Sequence, residues 1–131
     1  MRAACILLLL LAACGGPKST DSTTESPLAH AVEHLEEHGF TVTEASPRGD
    51  PEPEAVAIVR LKGGTATLYA YASEDDARLA SSSFAAEEQA APERVRVQRE
   101  GLHVFVGRAP PGGKLSVVEF EEIVFTAGEE H

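Results

Sequence analysis

His30, His34 and His38 recur at intervals of four along LAHAVEHLEEH, with Glu33 and Glu37 beside them. In a helix that spacing sets the three imidazoles on one side. A histidine pair at i and i+4 can grip one cation with both rings, which makes His30, His34, His38 and Glu37 a candidate Zn²⁺ or Cu²⁺ site. The three rings span two helical turns, so one helix can bring only two of them to a single ion. The same residues equally make a solvated face, on the side away from the apolar stripe of Leu28, Ala31, Val32 and Leu35. His103 is the other histidine expected within the folded region.

Catalytic chemistry has less to stand on. Ser81-Ser82-Ser83 lie within a helical pattern and outside any G-x-S-x-G turn, whereas a serine nucleophile needs a paired base and a preformed oxyanion site. Glu87/Glu88 and Glu121/Glu122 are adjacent pairs. On a helix such neighbours point about 100° apart, which reads as solvent-facing charge and not as an acid–base pair. Gly63-Gly64 stands between two strand patterns instead of leading a strand into a helix, so it is no phosphate loop. The set points to a protein without catalytic residues. Arg48-Gly49-Asp50 matches the integrin-binding tripeptide, but Gly, Asp and Pro serve turn geometry in a Pro-rich loop of this kind.

The residues with the most specific chemistry are at the start. Arg2 precedes a short apolar run, Ile6 to Leu11, and Ala12 and Ala13 lead into Cys14. The run is well short of the roughly 20 residues that cross a bilayer as a helix. A charged start, a short apolar core and small residues before a cut describe a secretory signal peptide. The Leu11-Ala12-Ala13-Cys14 tetrad resembles the lipobox of bacterial lipoproteins. That resemblance implies a diacylglycerol on Cys14 and cleavage just before it, so that residues 1–13 are a signal peptide and Cys14 the acylated first residue of an exported protein. Two or more acyl chains, each CH₂ worth about 0.8 kcal/mol when buried, hold a protein stably on a membrane surface. Gly15 follows, where Asp is the inner-membrane retention signal of enterobacterial lipoproteins. In a cell with two membranes this implies the outer one.

Composition narrows the partners. The formal net charge is -10, and loss of Arg2 with the signal segment makes it one unit more negative. A phosphate backbone needs a basic face, so nucleic acid is excluded as a partner. Flat adhesion to anionic headgroups is disfavoured for the same reason. There is no Trp, and five Phe and two Tyr are the whole aromatic set, which argues against a stacked sugar platform. Cys5 leaves with the signal and Cys14 is acylated, so the exported domain holds neither disulfide nor free thiol and depends on packing alone.

The elements that position these residues follow in order. Gly15 to Pro27 is small and polar, and residues 14–27 form a lipidated cysteine and flexible tether of about 20 Å. Residues 28–128 form one domain and 129–131 a tail. Leu28 to His38 is a helix, with Ser26 as its cap, Pro27 in its first turn and Gly39 as its stop. Phe40 to Thr43 begins a strand, and Ser46 to Glu54 is a loop. Ala55–Leu61 and Thr65–Ala72 are strands joined at Gly63-Gly64, a tight turn with positive φ. Thr65–Ala72 is apolar in part on both faces, which suits a central strand. Ser73 caps a second helix through Asp76, and that helix packs through Ala77, Ala80, Phe84 and Ala85 and stops at Pro92. Val95–Gln98 and Leu102–Val106 make a second hairpin, with Val95 and Val97 inward and Arg94 and Arg96 outward. Ser116 and Glu119 open a third helix, Val117 to Thr126, although its β-branched residues would also suit a strand.

Two hairpins and three helices predict an α+β fold: two layers, an antiparallel sheet of about five strands, and helices packed mainly on one face. With the anchor, this describes a non-catalytic envelope protein whose domain binds another protein or an envelope component. The alternative is a metal-binding lipoprotein that uses the first helix's histidines.

Overall fold

The computed structural model describes residues 26–128. The expected signal segment, Cys14, nearly all of the expected tether and the expected tail lie outside the described residues.

The first helix, α1 (Ala29–Glu37), buries Ala31 and Leu35 and carries Leu28 at its N-cap. Ser26, expected to be the cap, instead lies two residues before the N-cap Leu28. Its Oγ accepts from the Leu28 N–H at 3.1 Å and its carbonyl accepts from the Ala29 N–H at 2.9 Å, which fixes the entry into the helix. The chain turns at Gly39 and enters β1 (Val42–Ala45). After the loop come β2 (Ala55–Leu61) and β3 (Gly64–Ala70), the second helix α2 (Glu74–Ala90), then β4 (Val95–Glu100), β5 (His103–Arg108) and α3 (Val117–Ala127). Of the three predicted serine caps, two form: Ser73 Oγ accepts from the Asp76 N–H at 3.1 Å and Ser116 Oγ from the Glu119 N–H at 3.2 Å. The Ser116 cap commits residues 117–127 to a helix despite their β-branched content.

The strands make one open antiparallel sheet in the order β1-β2-β3-β5-β4, with β3 at its centre. This is the expected α+β architecture. On one face Ala57, Val59, Leu61, Ala66, Leu68, Ala70 and Phe105 meet α1 and α3 through Leu28, Leu35, Phe120 and Ile123. The other face has its own cluster, in which Tyr71, Val95, Val104 and Val106 meet Ala77 and Ala80 of α2. Two helices therefore share a face, and α2 covers β4 and β5 from behind. The cause is visible in β5, where Phe105 and its neighbours Val104 and Val106 are all buried although they point to opposite sides.

Two expectations change. Neither Gly63 nor Gly64 has a positive φ. Gly64 is needed for closeness instead, because a Cβ there would run into the Arg108 carbonyl oxygen. Glu87, expected to be plain solvent-facing charge, accepts from Arg108 Nε at 2.7 Å and Nη2 at 3.0 Å. The Arg108 guanidinium also lies 5.6 Å from the centroid of the Phe84 ring, which stacks on Tyr69 at 5.0 Å. Glu87, Phe84, Arg108 and Tyr69 together tie the second half of α2 to the sheet. Phe84 is thus half-buried under a cation and not sealed in the core.

Candidate binding groove

The register of the second hairpin sets Glu100 opposite His103 and Gln98 opposite Phe105. Directly opposed residues share a face of an antiparallel sheet, so these four side chains rise on the α3 side. Helix α3 contributes Glu121, Val124, Phe125 and Gly128, whose spacing of three, four and seven lines up one stripe. Between the stripe and the hairpin runs a groove of about 560 Å³ lined by those eight residues.

The groove exists because α3 stops short of the sheet edge. At its N-terminal half the helix sits hard on β5: a Cβ at Gly107 would lie 2.7 Å from Phe120 Cδ1 and 2.8 Å from Leu115 Cδ2. That close seat anchors α3 over β5, and β4, one strand further out, is left open on this side. Phe105 is buried at the bottom of the groove, while Phe125 is 71% exposed on its wall. Val118, about two turns earlier on α3, is also open, at 77%.

Polar groups line the same space. Gln98 Nε2 donates to Glu100 Oε2 at 2.6 Å, which holds that carboxylate along the strand. The Glu121 side chain makes no hydrogen bond or ion pair among the described residues. His103 is half-buried, and burial pulls its pKa below the usual 6.5, so at neutral pH the ring is uncharged and offers one donor and one acceptor. An apolar floor, one open aromatic ring and two carboxylates suit a partner that presents an apolar side chain next to a basic one.

The helix-one histidines are elsewhere. His30 and His38 are exposed, and His34 is partly buried with its Nδ1 3.9 Å from Glu37 Oε1. Among the described residues no three His, Cys, Asp or Glu side chains gather closely enough to hold a metal ion. Arg48, Gly49 and Asp50 are exposed in their loop beside a small cavity floored by Tyr71, Ala80 and Phe84. Cys14 lies outside the described residues. Sequence reasoning had no groove in it, because its two walls are 20 residues apart and neither is unusual alone. The available signal was the exposed Phe125 on a stripe shared with Glu121, combined with period-two alternation in the hairpin. No protein family, curated protein or solved structure matches this chain.

Proposed function

We propose that this is a non-catalytic, lipid-anchored envelope protein that binds another protein through the groove between α3 and the β4–β5 hairpin. The observation that carries the reading is the groove itself: the exposed Phe125 ring stands over a buried Phe105 floor, with the Glu121 carboxylate beside it. The lipobox-like tetrad ending at Cys14 supplies the location, and the net charge of -10 keeps the domain off anionic headgroups so that its faces stay available. A tether of about 20 Å would leave the groove free to reach a neighbour on or near the same membrane.

A photoreactive amino acid in place of Phe125, in cells carrying the full chain, tests this directly. The same probe replaces Leu79, which is 60% exposed on α2, as the control. A discrete adduct from position 125 that is lost with Glu121→Lys, and no such adduct from position 79, is the expected result. Equal labelling from both positions contradicts the proposal. The metal reading is separated by titrating the protein with Zn²⁺ and Cu²⁺: binding that disappears in His34→Ala belongs to α1 and not to the groove.

A further inference from the structure

We infer that the free edge of β4 is an interface between two copies of this chain, paired antiparallel about Gln98. β4 is the last strand of the sheet. Its hairpin with β5 closes through the two residues Gly101 and Leu102, so Glu100 and His103 form a hydrogen-bonded pair, and alternate residues Gln98, Arg96 and Arg94 also bond inward. The Ala109 N–H donating to the Arg94 carbonyl at 2.8 Å continues the same phase. The backbone N–H and C=O groups of Val97 and Arg99 therefore point outward, where no described residue meets them.

An edge strand bearing charge usually guards against such pairing. Here the charges are arranged to accept one partner. Arg96 and Glu100 stand two residues either side of Gln98 and share the groove face with it. In an antiparallel pair centred on Gln98, Arg96 of each copy faces Glu100 of the other, and Gln98 faces its own counterpart. Val97 meets Arg99, so every outward backbone group of the two residues is bonded. Centred one residue earlier, Arg99 would face Val95, whose N–H is already given to the Ala91 carbonyl at 2.9 Å. Arg96 is half-buried and has no side-chain partner among the described residues, so its charge is available for this contact. The arrangement is isologous and closes after two copies. It joins two five-stranded sheets into one and sets the two grooves side by side, because Gln98 and Glu100 line both.

The test uses the full chain in density-matched detergent. Sedimentation should show a dimer. Arg96→Glu and Glu100→Arg should each weaken association by about tenfold, since each places like charges opposite one another twice, and the double variant should restore it. Opposed residues at a non-hydrogen-bonded position have Cα atoms about 4.5 Å apart, within disulfide reach. Gln98→Cys should therefore yield a disulfide-linked dimer that the parent chain and Val97→Cys do not. A monomer in sedimentation, a double variant no better than the single ones, or linkage from Val97→Cys in place of Gln98→Cys overturns the inference.

Discussion

His103 shows what burial does to a single side chain in this protein. An unfolded histidine titrates near 6.5, and the folded one titrates lower because its ring is half out of water. Between the two values the unfolded chain binds more protons, so the contribution of His103 to stability is complete above 6.5 and is lost as the pH falls through the folded pKa. Melting temperature should decline as the pH falls below the ordinary histidine value of 6.5, and His103→Gln should flatten that decline. Glu87 acts at a lower pH. The hydrogen bond from Arg108 holds its pKa below the ordinary 4.5, so its contribution is present above that value and fades with further acidification. Phe84 rests between Tyr69 and Arg108 with part of its ring in solvent. Phe84→Ala should cost about 2 kcal/mol in a denaturant melt, less than the 3–5 kcal/mol of a sealed phenylalanine. A loss under about 0.5 kcal/mol would mean that the ring does not hold α2 to the sheet.

At the scale of elements, Gly107 decides where α3 lies. Its backbone needs no left-handed conformation, so the cost of a side chain there is one of space alone. Gly107→Ala should destabilise by about 1–3 kcal/mol as Phe120 and Leu115 are pushed off β5, and a loss of near-ultraviolet signal or a shift in methyl resonances around Phe120 would report the movement. Much at this scale could be read from residue order. The strands from Ala55 to Leu61 and near Thr65 to Ala72, the Ser73 and Ser116 caps and the central place of β3 follow from local pattern, because period and capping act within a few residues. What lay out of reach involves distance. The bond between Glu87 and Arg108 joins residues 21 apart in the chain, and each alone reads as surface charge. The Gly64 requirement comes from a neighbouring strand's carbonyl, and local turn rules gave the wrong reason for it. That α2 takes the opposite face from α1 and α3 depends on Val104 and Val106, which are ordinary strand residues until Phe105 between them is known to be buried as well.

The described residues form a two-faced sheet with a groove beside its β4 edge, carried on an acidic chain. Its proposed position in the cell rests on a different part of the sequence from its fold. Among the described residues no helix is long and apolar enough to cross a membrane; separately, we propose that acyl chains on Cys14 provide the attachment. Labelled palmitate fed to cells that make the full chain tests this most directly. Palmitate should enter the parent protein and the Cys5→Ser variant equally, because Cys5 precedes the cut, and Cys14→Ser should take up none. Normal labelling and processing of Cys14→Ser would contradict the lipid anchor.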